Sequence, residues 1–336
     1  MKAVGYTRSL PATDPNAFAC VELPMPEPGP RDLRVAVRAI SINPVDTKIR
    51  MRVNPEGGAP KILGWDVSGV VDAVGSTVTG FQVGDEVFYS GALDRPGCYS
   101  EFHLVDERLV GRKPKSLSFA EAAAMPLTAI TAWELLFDRL GLRENTTGNL
   151  LIVGGAGGVG SMLIQIARQL TKLTVIATAS RPATRDWCTT LGAHHVVDHS
   201  QPLDQALAEA KLGPAHYVAA LTQTDKHQAA IAEVLAPQGK VGIIDDPEHL
   251  DPMLFKRKSA SLHWEFMFAR SMFQTPDMDA QGQILNRIAE LTDAGKLRST
   301  LREILGPILP KPIANAHDRL ESGSTIGKLV LQGFMP

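Results

Sequence analysis

"LLIVGGAGGVGSMLIQIARQL", residues Leu150–Leu170, sets five glycines between an apolar run and a helical pattern. Leu150 to Val153 are short, apolar and β-favouring, while Val159, Met162, Leu163, Ile166, Ala167 and Leu170 recur at helical spacing. The glycines therefore predict a strand-to-helix turn. Gly155, Gly157 and Gly160 fit G-x-G-x-x-G. In that setting the first glycine permits the tight turn, the second lets backbone approach a pyrophosphate, and the third lets helix and strand pack closely. Gly158 and Val159 open the helix, whose unpaired N–H groups and partial positive charge suit phosphate. Taken alone, the triplet is also compatible with a turn that holds no ligand.

The downstream sequence supplies the context. Apolar segments "TVIATA", "HHVVDH", "YVAAL", "GKVGII" and "SASLHWEF" alternate with helical stretches such as Pro182 to Leu191 and Lys226 to Leu235, and Gly192 reads as a helix C-terminal cap. Six strands alternating with helices predict an α/β, doubly wound parallel sheet of Rossmann type. At the end of its second strand, an NAD-selective site places an acid that grips the ribose hydroxyls and repels a 2′-phosphate. Here that place reads "TASRPATR": Ser180 and Arg181 stand there, with Arg185 one helical turn on, and no acid. A hydroxyl and a guanidinium favour NADP(H) over NAD(H).

Bulk properties narrow the partners. Lys plus Arg number 34 against 36 Asp plus Glu in 336 residues, with no long block of one sign, so neither nucleic acid nor an anionic membrane is expected. No apolar run approaches the roughly 20 residues of a membrane span, and the opening "MKAVGYTRSLPATDP" has no apolar core of a secretory signal. A cytoplasmic protein with a small-molecule partner is the expectation. Cys20, Cys98 and Cys188 lie too far apart for a disulfide framework or a zinc spacing, and are expected to be buried thiols.

The flanks differ in texture. Residues 1–125 hold short β-like runs, "LRVAVRAISI", "GVVDAVG" and "DEVFYS", between glycines and prolines, which predicts an antiparallel, barrel-like domain. The tail mixes a helix, "ILNRIAELTDAG", with a strand, "KLVLQ", so residues 269–336 are assigned back to that first domain. Residues 126–268 form the dinucleotide domain, and the cleft between the two is the expected active site.

Motifs across nearly the whole chain carry a family resemblance. "ISINPVDTKIR", "ILGWDVSGVVDAVGSTVTGFQVGDEVF", "AAAMPLTAITAWELL", "GGAGGVGSMLIQIARQL" and "AHDRLESGSTIGKLVL" resemble the medium-chain dehydrogenase/reductase superfamily, in its quinone oxidoreductase branch and most closely its bacterial zinc-type alcohol dehydrogenase-like group. The resemblance implies a GroES-like β-barrel domain followed by a Rossmann domain, commonly as a homodimer. It also implies NADPH-dependent reduction of an apolar quinone or an α,β-unsaturated carbonyl.

Zinc-dependent relatives carry Cys, a His-Glu pair and a second Cys where this chain has Asn43, Trp65 with Asp66, and Leu127. The closely spaced cysteines of their structural zinc lobe are also missing, so no bound metal is expected. His194, His195 and His199 surround the third sheet strand without a ligating cysteine and are read as solvated or hydrogen-bonded.

Without a Lewis acid, hydrogen-bond donors must meet the charge that builds on the substrate oxygen. By their match to family positions near the nicotinamide, the candidates are Asn43, Lys48 and Thr131. Quinone reductases of this type often carry Tyr where Lys48 stands. Asp46 is read as a helix cap. "LHWEFMFARSMF" is read as sixth strand and core at its start, with Phe266, Phe268 and Phe273 walling an apolar pocket at its far end. The competing functions are a zinc-dependent alcohol dehydrogenase and a non-catalytic, dinucleotide-binding regulator.

Overall fold

A computed structural model describes residues 1–334. The chain divides into two compact units, Met1–Ile130 with Phe268–Pro336, and Thr131–Met267.

In chain order, the first unit opens with strands β1 (Lys2–Tyr6), β2 (Ala19–Glu22) and β3 (Asp32–Ser41), then helix α1 (Pro44–Arg52). Next come β4 (Lys61–Ile62), β5 (Asp66–Val74), β6 (Glu86–Ser90), β7 (Phe102–Asp106), β8 (Val110–Arg112) and helix α2 (Phe119–Ala123), and the chain passes into the second unit within α3 (Pro126–Trp133). The second unit holds β9 (Asn149–Val153), α4 (Gly158–Leu170), β10 (Thr174–Thr178), α5 (Pro182–Thr190), β11 (His195–Val197) and α6 (Leu203–Glu209). It continues with β12 (Ala215–Ala220), α7 (Thr224–Val234), β13 (Leu235–Ile243), α8 (Met253–Lys256) and β14 (Ser261–Trp264). The tail adds α9 (Ala269–Met272), α10 (Ala280–Asp293), β15 (Leu301–Ile304), α11 (Pro310–Glu321) and β16 (Lys328–Gln332) to the first unit.

In the first unit, a seven-stranded sheet runs β15-β16-β3-β5-β6-β8 with β7 also on β3, beside a three-stranded sheet β2-β1-β4. Alternation in β3 buries Leu33, Val35, Val37 and Ala39, as a half-covered strand should. The tail strand β16 closes on β3 antiparallel, Val330 facing Ser41, which brings residue 328 beside the start of α1. The GroES-like expectation holds. α1 starts where Pro44 fixes the first turn and Asp46 Oδ2 accepts the Asn43 N–H at 2.6 Å, the cap expected of it.

The second unit is a six-stranded parallel sheet in the order β11-β10-β9-β12-β13-β14. The chain steps outward from β9 to β11, then returns to pair β12 with β9, so the order reverses beside the glycine turn. This is the predicted doubly wound sheet. Its central strands are mostly apolar, and Leu151, Val153, Ile176, Val218 and Ile243 share one core with Phe255.

Two expectations change. β14 is the sixth strand but not core: it lies at the sheet edge and Trp264 is 54% exposed. Cys98 and Cys188 are buried free thiols, whereas Cys20 is exposed because β2 is a short outer strand. A π-helical turn, Glu134–Arg139, extends α3, and nothing in the apolar spacing announced it.

Candidate functional site

The glycine turn is built as the spacing requires, with one change in which glycine does what. The left-handed residue is Gly154, φ +90°, and not Gly155. Gly155 must be bare for another reason: a Cβ there would stand 2.7 Å from the Ala177 Cβ on β10. At Gly160 a Cβ would meet the Gly154 carbonyl oxygen at 2.5 Å, which is the close helix-to-strand approach. Gly157 differs from both. It has ordinary extended backbone, φ −71°, and a Cβ there would find only the Gly154 oxygen at 3.6 Å. Packing does not demand a glycine at 157, so its bare face suits an approaching ligand. No acid and no side-chain cap sits in the first turn of α4, leaving the N–H groups of its opening residues, Gly158 and Val159 among them, for an anion. These residues fit a dinucleotide pyrophosphate.

At the end of β10, Ser180 is half-buried and Arg181 exposed. Arg185 is tied down, its guanidinium donating to the Ala179 and Val196 carbonyls at 3.2 and 2.9 Å, so it braces the strand ends. His194 Nδ1 accepts the Val175 N–H at 2.8 Å.

The catalytic candidates separate. Asn43 and Lys48 lie on or beside α1 in the first unit, whereas Thr131 lies in the second unit with the glycine turn. Asn43 is 1% exposed, its Nδ2 donates to Asp66 Oδ2 at 2.8 Å, and its Oδ1 accepts from Lys328 Nζ. Its amide is thus engaged within the fold. Lys48 is half-buried and Thr131 buried on α3.

Around Asn43 lies a polar junction that sequence reasoning missed. Asp66 Oδ1 accepts the Leu127 N–H at 2.7 Å at the start of α3, and Oδ2 accepts from Lys328 Nζ at 3.1 Å. Burial pushes the Lys328 ammonium below its ordinary value, and the Asp66 carboxylate opposes that shift. Asp46 Oδ1 has no hydrogen-bond partner, and burial pushes this carboxyl up to about 7 against the pull of the Asn43 N–H and the Lys328 charge. The available signal was a lysine heading an apolar strand, "KLVLQ".

These residues do not fit zinc. A tetrahedral site needs Cys, His or carboxylate ligands around an open position. Trp65 is buried with its indole N–H on the Ala92 carbonyl at 3.0 Å, Leu127 is aliphatic, and both Asp66 oxygens already accept hydrogen bonds. Among the described residues no group of three or more His, Cys, Asp or Glu is arranged to hold a metal ion.

In the second unit, Glu265 follows β14 and its Oε2 accepts from Arg139 Nε at 2.7 Å, while Oε1 is buried without a partner. Burial, and then the Glu134 carboxylate beside it, hold this carboxyl well above the ordinary range. An acid inside the apolar "HWEFMF" was the sequence signal. The aromatics of that stretch differ in burial. Phe268 is buried edge-on against Trp65 at 6.2 Å, while Phe266 and Phe273 are 50% and 76% exposed.

Comparison with known proteins agrees with this architecture. Residues 29–126 match the alcohol dehydrogenase GroES-like domain family, and residues 191–331 match the zinc-binding dehydrogenase family. A zinc-type alcohol dehydrogenase-like protein of Staphylococcus aureus is 38% identical over 98% of this chain and 99% of its own. The crystal structure of a putative zinc-dependent alcohol dehydrogenase protein from Rhizobium etli superposes with a TM-score of 0.97 at 54% identity, covering 100% of this chain and 99% of that one. A 2-methylene-furan-3-one reductase of Solanum lycopersicum is 30% identical over 88% of this chain and 70% of its own length. A barrel-like unit and a dinucleotide sheet with these relatives define an oxidoreductase family. The chain belongs to the medium-chain dehydrogenase/reductase superfamily.

Proposed function

We propose that the protein is an NADPH-dependent, zinc-independent reductase of quinones or other α,β-unsaturated carbonyl compounds, working in the cytoplasm as a homodimer. The observation that carries this reading is the bare face of Gly157 beside a strand end that bears Ser180 and Arg181 and no acid. When bound, the reduced coenzyme supplies a hydride to the electrophilic carbon of the conjugated system. The chain's own residues hold and orient. The α4 N-terminus meets the pyrophosphate, and the Ser180 hydroxyl with the Arg181 guanidinium meets the 2′-phosphate. Charge arriving on the substrate oxygen is met by donors, for which Asn43, Lys48 and Thr131 are the candidates. An enone and a quinone share the C=C–C=O unit, and the tomato relative is named for reducing such a compound. The edge position of β14 and the exposure of Trp264 support pairing with a second copy.

A zinc-dependent alcohol dehydrogenase is the second reading, favoured by the names of the Staphylococcus and Rhizobium relatives. Coenzyme oxidation with a panel of quinones, enones and simple aldehydes, alongside metal analysis of the same sample, separates the two. Oxidation of NADPH by enones or quinones without stoichiometric zinc is the expected result. Activity confined to alcohols or aldehydes and abolished by chelation overturns it. NADPH binding with no oxidation across the panel favours a regulator instead.

A further inference from the structure

Lys328 is the first residue of β16 and is 3% exposed. Its ammonium group has three hydrogens, and three acceptors surround it: the Ile42 carbonyl at 2.9 Å, Asn43 Oδ1, and Asp66 Oδ2 at 3.1 Å. Asp66 in turn accepts from Asn43 Nδ2 and from the Leu127 N–H. One ion pair therefore ties the junction of β3 with α1, the start of β5, the start of α3 and the tail strand.

The chemistry of the junction is directional. Because Lys328 can only donate, it fixes Asn43 Oδ1 as the acceptor, so Nδ2 must face Asp66. A buried carboxylate with three donors and a buried ammonium with three acceptors is a fully satisfied network, the condition under which such a pair holds one geometry. The other ionisable groups facing it are Asp46, whose carboxyl feels both the Lys328 and Asp66 charges, and the Cys98 thiol, pushed up by burial and by the two carboxylates.

We propose that Lys328 is a fixed internal cation that holds these segments together, and that it positions the first turns of α1 and α3. Lys48 rides on α1, one turn after Pro44, so the kinetic consequence rests on the proposed reductase activity; the tie itself does not. Lys328 is a positioning residue and transfers no proton or hydride.

The test is a double-mutant cycle with Lys328→Met, Asp66→Asn and the two combined, read by thermal melting and by kinetics. Each single change leaves a buried charge unpaired, so each lowers the melting midpoint sharply. The double variant removes both charges and melts above Lys328→Met. In the double variant, kcat with a quinone falls about tenfold or more, while KM for NADPH stays within about twofold, a split that general loosening of the fold would not give. Midpoints that simply add, or a double variant with wild-type kcat, overturn the proposal. If the wild type oxidises NADPH with no acceptor, the reductase reading fails, and the melting cycle alone decides: coupled midpoints support the tie and additive midpoints overturn it.

Discussion

The glycine turn of the second unit and the polar junction of the first solve opposite problems. The turn is specified by missing atoms within seven consecutive positions, Gly154 to Gly160, and its partners are backbone carbonyls, the side chains of Ala177, Cys188 and Thr222 and, in the proposed function, a ligand. The junction is specified by the side chains of Asn43, Asp66 and Lys328 with the backbone N–H of Leu127, and at its centre is an ion pair. A site made of bareness is broken by adding a methyl group. A site made of charge is broken by leaving one member unmatched.

Within the turn itself the contrast is sharper still, because Gly160 and Gly157 look alike in sequence and differ in what surrounds them. Gly160→Val is expected to be the most damaging change, since its Cβ would press on two backbone oxygens at 2.5 and 2.7 Å that cannot rotate away. A loss of about 3 kcal/mol or more, seen as a large drop in melting temperature, is the expected outcome. Gly157→Ala should leave the melting temperature nearly unchanged and weaken coenzyme binding about tenfold or more, measured by calorimetry. If it destabilises the fold as much as Gly160→Val, the distinction between the two glycines is wrong.

Arg181→Ala sharpens the coenzyme side of the comparison. NADPH affinity should fall about tenfold while NADH affinity holds, because a charge-assisted contact to the 2′-phosphate is lost. Equal losses for both coenzymes would assign Arg181 to the helix start alone.

The smallest expected effects separate the two units by pH. In the first unit, burial pushes His103 down to about 4 and His317 to about 3, so both are neutral in the fold. His103 donates through Nε2 to the Pro96 carbonyl and accepts from Tyr89; His317 accepts from Arg50 through Nδ1. Their contribution is present above the ordinary histidine value and is lost as pH falls through these depressed ones. In the second unit, Glu265 is raised, so its contribution is present in acid and lost as pH climbs through the raised value. Glu265→Gln should therefore lift the melting temperature by about 2 to 4 °C in alkaline buffer and have little effect in acid. A gain of equal size at low pH would contradict the assignment.

Much of this was legible because the signals were local. The apolar strands, Gly192 at the end of α5 and the turn after β9 each follow from a few adjacent residues, and the sheet order follows from alternation with helices. Asp46 was readable as a cap because its partner is three residues away. Lys328 was not, because its partners lie 285 and 262 positions off and only the pairing of β16 with β3 brings them together. The exposure of β14 was hidden for a related reason, since composition does not tell an edge strand from a central one.

The most direct test of the account is the rate of NADPH oxidation with an enone or quinone, measured on protein dialysed against chelator and verified free of zinc. Turnover that zinc does not increase and that NADH supports less well is the expected result. Turnover that appears only when zinc is restored, or that prefers NADH, would contradict it.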